Sequence, residues 1–222
     1  MNEYILRAWY EKKGLIRFTS HRDIINTWYI SMSRSRLPVL YTEGFTKKPK
    51  IAFSPALSLG VSSDCEFADI YLTRGIDCDS KLIETLNVAF PNGIKFYKTE
   101  FVTSGINETI KKISAFEYSF KIFGDFAPAG QTAENVVEKL TKIESLNELT
   151  LEYNERKRDV RPYISGFEPI GRDSEALSFK MKLALIDSAS IKPQLIFSYL
   201  SDVLSGFMYS YEINKDRLIF KD

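Results

Sequence analysis

One histidine and two cysteines are the whole supply of imidazole and thiol in this chain of 222 residues. Cys65 and Cys78 make neither a disulfide framework nor a zinc signature, and both read as ordinary reduced thiols. Two cysteines also fall short of the ligand set that an iron–sulfur cluster usually needs. No metal or cofactor is therefore expected of this chain alone. Long apolar runs are missing too, since nothing approaches the roughly 20 residues that cross a bilayer. The start, MNEYILRAWYEKKG, alternates and carries charge, unlike a signal peptide, so the expected location is the cytoplasm. Net charge is equally scarce: 30 Lys+Arg against 29 Asp+Glu leave +1. The charge is unevenly spread, however. Residues 1–50 hold ten Lys+Arg and four Asp+Glu, a local +6, and any contact with a polyanion is expected there.

What is present is ordinary globular material, 44% hydrophobic and 27% charged. The length suits one large domain or two smaller ones. Tyr4–Glu11 is rich in strand-forming side chains and stops at Lys12-Lys13-Gly14. Ser20, with Asp23 three residues on, starts a helix whose apolar face is Ile24, Ile25, Trp28, Tyr29 and Met32, and Pro38 ends it. Short strands follow at 50–53 and 64–73. A helix over 79–90 carries Leu82, Ile83, Leu86 and Phe90, and a strand runs from 94 to 102. Residues 104–112 read as a boundary. The same order of elements then recurs: strands at 115–123, 149–153 and 176–186, helices at 132–143 and 191–204, and a closing hairpin turning at Asn214-Lys215-Asp216. The expected fold is α+β, two tandem ferredoxin-like (split βαβ) domains with antiparallel sheets, spanning 1–103 and 113–222.

The residues able to carry chemistry cluster in the basic segment. His21 at a helix N-terminus suits a general base or a phosphate contact. The alternative is a structural histidine packed near Trp28 or Phe18. Arg17, Arg22, Lys47, Lys48 and Lys50 surround it in sequence and favour an anion. Tyr41 and Phe45 can stack on bases beside a lysine-rich loop that tracks a phosphate backbone. That loop read blandly is a solvated surface turn. Arg158 and Arg161 form a second basic cluster, with Pro162 expected to hold Arg161 extended and aimed at a phosphate. Plain surface ion pairing is its alternative. Glu43, Asp64, Glu66 and Asp69 show no metal-ligand spacing and read as solvated charges. If Tyr118 faces outward, it would supply a sheet-stacking aromatic.

RFTSHRD at Arg17–Asp23 and YTEGFTKKPKIAFSPALSLG at Tyr41–Gly60 carry a resemblance. So do SSDCEFADI at Ser62–Ile70, DVRPYI at Asp159–Ile164 and ASIKPQLI at Ala189–Ile196. Together they resemble the radical-SAM-linked family, uncharacterised bacterial proteins encoded beside, or fused to, a cobalamin-type radical SAM protein. Thr42 stands where that pattern has serine. The resemblance implies a radical SAM protein as partner. It implies no radical SAM chemistry in this chain, which lacks the three-cysteine motif. The resulting reading is a non-catalytic accessory or RNA-binding protein acting with a radical SAM enzyme in RNA modification. Two others compete with it: a protein–protein interaction module, and a metal-independent endoribonuclease using His21. The last rests on a layout similar to that of CRISPR repeat-processing nucleases, which is analogy of fold.

Overall fold

The computed structural model describes all residues except 1–3, 125–129, 154–155, 173–174, 205–207 and 222. The chain divides into two compact units, Met1–Lys112 and Ile113–Asp222. Each combines helices with antiparallel strands, so the fold is α+β; every strand pair described here is antiparallel.

The first unit runs β1 (Tyr4–Lys12), a 3-10 turn (Gly14–Phe18), α1 (His21–Ser35), β2 (Ile51–Phe53), β3 (Ser62–Leu72), α2 (Ser80–Ala89), β4 (Ile94–Val102) and α3 (Ile106–Lys112). Its strands lie in the order β4-β1-β3-β2. The later strand β3 thus sits between β1 and β2 and splits the β1-α1-β2 crossover. Alternation decides which side chains face the helices. Leu6, Ala8 and Tyr10 of β1 and Ala68 and Ile70 of β3 pack with Ile24, Trp28 and Met32 of α1 and Leu82 and Leu86 of α2. Trp28 is fully buried and meets the edges of Phe53, Phe90 and Phe96 at ring separations of 5.3, 4.8 and 5.4 Å.

Local chemistry fixes the helix ends. Ser20 Oγ accepts from the Asp23 amide at 3.2 Å, and the Asp23 carboxylate accepts from the Ser20 amide at 3.2 Å, a complete capping box. Arg36 ends α1 in the left-handed region at φ 57°. Asp79 caps α2 through the Leu82 amide at 3.0 Å. Gly93, at φ +97°, lets the α2–β4 turn close on the 3-10 turn; a Cβ there would lie 2.5 Å from the Lys13 carbonyl oxygen. Residues 106–112 form a helix, although their sequence reads as a polar boundary.

The second unit contains β5 (Ile113–Gly124), α4 (Gly130–Lys142), β6 (Thr150–Tyr153), β7 (Arg156–Asp159), β8 (Ile164–Arg172), β9 (Ala176–Ala184), α5 (Leu195–Tyr199), α6 (Ser201–Leu204) and β10 (Met208–Phe220). Four strands run in the order β10-β5-β9-β8, and β6 and β7 form a separate hairpin. Three elements differ from what their sequence suggests. Asn214-Lys215-Asp216 is no turn: β10 passes straight through it, taking up a register shift between Lys215 and Arg217. Asn214 donates to Asp216 at 2.7 Å and Ser119 donates to Asp216 at 2.5 Å, so the turn-forming side chains are satisfied within the sheet. Residues 191–204 hold two short helices, not one, and Leu200 between them sits at φ −90°, ψ 0°. Tyr118 is buried opposite Met181 because alternation puts it on the same face of β5 as the buried Phe116, Phe120 and Ile122, and it offers no stacking surface. The turn expected after Gly124 falls on residues outside those described.

Candidate nucleic-acid interface

The capping box sets His21 at the first position of α1. Its imidazole is exposed and meets Phe53 edge-on, with ring centroids 6.2 Å apart. Beneath it lies a small cavity of about 20 Å³, lined by Tyr10, Lys12, His21, Ile24, Phe53, Ser54, Pro55, Ala56, Leu57 and Glu66. That is room for one water-sized group. Four of its polar residues are buried: Tyr10, Lys12, Ser54 and Glu66 are 4, 4, 5 and 3% exposed. Ser54 Oγ donates to Glu66 Oε2 at 2.9 Å. Burial, and then the Glu66 carboxylate across the strand, push the Tyr10 phenol well above its ordinary pKa. Glu66 is therefore no solvated strand charge. Asp69 is not one either, since it is fully buried and accepts two hydrogen bonds from Arg7.

The first two quoted motifs converge at this end of the unit. The Gly60 amide donates to the Arg17 carbonyl at 2.8 Å. The half-buried Arg17 guanidinium lies over the Phe18 ring at 4.8 Å, and Arg22 is exposed. Farther along α1 stands the loop between α1 and β2. The Thr42 amide donates to the Lys48 carbonyl at 2.8 Å, and Tyr41 bridges Pro49, which closes a tip over residues 43–47. Phe45 at that tip is fully exposed, and Tyr41, Glu43, Lys47 and Lys48 are exposed with it. Lys48 Nζ stands 5.8 Å from the Tyr29 ring and Lys50 Nζ 4.5 Å from the Tyr71 ring. Tyr29 lies eight residues beyond His21, so the two features are about 12 Å apart along the helix.

Arg158 and Arg161 lie in the second unit and have local partners. Arg161 is not held extended by Pro162; it opens a 3-10 turn over Arg161–Tyr163. Its guanidinium donates to the carbonyls of Leu146, Ile164 and Glu144 at 2.9, 2.8 and 2.8 Å, so it clamps the chain around the β6–β7 hairpin. Arg158 is exposed, lies over the Tyr163 ring at 4.6 Å and donates to its hydroxyl.

Sequence reasoning missed Lys12, Ser54 and Glu66. Parity carried the signal: Lys12 continues the inward series Leu6, Ala8, Tyr10, and Glu66 shares the inward set of Ala68 and Ile70. Among the described residues, no group of three or more His, Cys, Asp or Glu side chains is arranged to hold a metal ion. No described helix is long and apolar enough to cross a membrane.

These features define a two-unit α+β protein with a basic aromatic loop and a buried polar cavity on its first unit. The chain belongs to the family described as "Uncharacterized protein conserved in bacteria (DUF2344)", which its residues 6–193 match. No curated protein matches the sequence. A chain in the crystal structure of a Cbf5–Nop10–Gar1 complex shares the fold with a TM-score of 0.51 at 11% identity, over 99% of this chain and 50% of that one. A chain in a structure of an H/ACA RNP bound to a substrate RNA containing 2′-deoxyuridine gives 0.49 at 11% identity, over 99% and 49%. The present chain thus spans about half the length of those chains. At this identity the likeness is one of fold alone.

Proposed function

We propose that this protein is a non-catalytic, RNA-binding accessory of a radical SAM enzyme, acting in the cytoplasm in RNA modification. The observation that carries the RNA reading is the loop over residues 41–50. A fully exposed phenylalanine beside exposed lysines is what base stacking with phosphate tracking needs. The strand orders β4-β1-β3-β2 and β10-β5-β9-β8 support reading the two halves, 1–103 and 113–222, as tandem ferredoxin-like domains. The radical SAM partner rests on the motifs RFTSHRD and YTEGFTKKPKIAFSPALSLG alone.

His21 is the residue that separates binding from catalysis. A metal-independent nuclease loses most of its cleavage when its general base is removed, a factor of about 10²–10⁴. A binding histidine at a helix N-terminus is worth about fivefold in affinity, the value of one hydrogen bond. Parent and His21→Ala proteins are incubated with a mixed small-RNA pool without metal, and the fragment ends are mapped. The expected result is no defined cleavage by either protein and roughly fivefold weaker RNA retention by the variant. Defined cuts made by the parent and lost in the variant would establish the nuclease instead.

A further inference from the structure

We infer that the outer side of α1 is a track for single-stranded RNA, whose backbone is held at Arg22, Lys48 and Arg36 in turn. The inference rests on the RNA reading above and extends it from the loop to the helix beside it. Helical spacing makes the track. Arg22, Tyr29 and Arg36 stand seven residues apart, which is nearly two full turns and about 10 Å, so they follow one side of α1. Asn26 and Ser33 fall on the same side. Arg22, Asn26, Ser33 and Arg36 are exposed, and Tyr29 is half-buried. Lys48 Nζ stands 5.8 Å from the Tyr29 ring, so the loop brings a third cation to the middle of the row.

Charge decides what the row takes. Asp23 is the acid within α1, and its carboxylate accepts from the Ser20 amide and hydroxyl at 3.2 and 2.6 Å. Glu43 stands at the loop tip, where exposed Lys47 and Lys48 outnumber it. Neither Arg22 nor Arg36 has an ion pair or a side-chain hydrogen bond among the described residues. Arg22 also sits in the first turn of α1, where the helix dipole disfavours a cation. A cation kept there against the local field serves a ligand that is itself negative. Cations at intervals of about 10 Å call for an anion that repeats. The Tyr29 ring between them, with exposed Tyr41 and Phe45 alongside, calls for one with flat faces. A nucleic-acid strand has both. A stacked strand advances about 3.4 Å per nucleotide, so the roughly 21 Å from Arg22 to Arg36 takes about six.

The test uses the full-length protein with Arg22→Ala and, separately, Arg36→Asn, since asparagine tolerates the left-handed backbone at residue 36. The probes are mixed-sequence single-stranded RNAs of about twelve and about three nucleotides, long enough and too short to join the two arginines. On the long strand each variant is expected to lower the slope of log affinity against log salt by about 0.7. The short strand is expected to bind both variants nearly as it binds the parent. The melting temperature of Arg22→Ala should match or exceed the parent's, because a cation leaves the wrong end of the dipole. A poly-glutamate chain of similar charge is expected to bind the parent more weakly than the long RNA. Should a variant not fold, the parent decides alone: its affinity should climb with strand length up to about six nucleotides. An affinity that stops rising at about three overturns the inference. Parental slopes in both variants, with a lowered slope in Lys47→Ala plus Lys48→Ala, also overturn it and leave RNA on the loop alone. Poly-glutamate binding as tightly as RNA would make this side of α1 a general polyanion surface and overturn it too. No binding of RNA by the parent overturns both this inference and the RNA reading.

Discussion

Asp69→Ala is expected to cost about 3–5 kcal/mol of folding stability, the range for removing one partner of a buried ion pair. Asp69 has no exposed surface and Arg7 has 6%. The two residues face each other across β1 and β3, and Arg7 Nε and Nη2 donate to the two carboxylate oxygens at 2.7 and 2.9 Å. Fork-to-fork geometry of this kind gives the strongest side-chain hydrogen bonds. The guanidinium also lies 5.2 Å from the Phe67 ring, which in turn packs on Trp9 at 4.9 Å. Alanine removes the acceptors and leaves a buried cation that no water reaches. Replacing both residues together, Arg7→Met with Asp69→Leu, is expected to cost far less, because no charge is stranded. Urea unfolding of the parent, the single variant and the double variant measures this. A single-variant loss below about 1 kcal/mol would mean the pair is hydrated and worth no more than a surface bridge.

Phe45→Ala is expected to weaken single-stranded RNA binding by about 1–3 kcal/mol, roughly fivefold or more, while stability stays unchanged. Phe45 is fully exposed, so truncating it removes no packing from the fold. The loop around it is held by main-chain bonds, from Thr42 to Lys48 at 2.8 Å and from Lys50 to Leu40 at 2.7 Å. The loop therefore keeps its shape when the ring is gone. Stacking is a contact with the faces of bases, so the salt dependence should not move. Filter binding at several salt concentrations separates the two effects. A variant that binds like the parent would make Phe45 a surface feature with another use.

Much of the first unit is legible in its sequence because local rules and tertiary packing agree there. The Ser20–Asp23 box starts α1 where the pattern places it, and Trp28 at the centre of the apolar face is fully buried among Phe53, Phe90 and Phe96. Asp79 caps α2, and Ile94–Val102 is a strand as read. Legibility fails where the two disagree. β8 contains Gly166, Pro169 and Gly171, which locally argue against a strand, and it pairs with β9 through register shifts at 164–166 and 169–171. Asn214-Lys215-Asp216 carries a turn signature, yet β10 runs through it with Lys215 buried over the Phe116 ring at 5.1 Å. Arg161 looks like a phosphate ligand in sequence and is spent on three carbonyls in the fold.

The candidate site divides in the same way. The exposed part, Tyr41 to Lys50 with Arg22 and His21, is visible as a charge imbalance and aromatic spacing. The buried part was hidden because charged residues on strands are usually solvated. Glu66 and Lys12 become cavity residues only when β1 and β3 pair and α1 closes over them. Alternation marks both as inward-facing, but their meeting at one place is a property of the β1–β3 register, which neither strand's own pattern states.

The central claim is that the loop over residues 41–50 holds an RNA backbone through its lysines. Its most direct test is the slope of log affinity against log salt for one single-stranded RNA, measured with the parent and with Lys47→Ala plus Lys48→Ala. Each phosphate contact on a single strand contributes about 0.7 to that slope. The account requires the double variant to bind more weakly at low salt and its slope to fall by about 1.4, with the melting temperature unchanged. An identical slope in the two proteins would contradict it and leave the loop as a solvated turn.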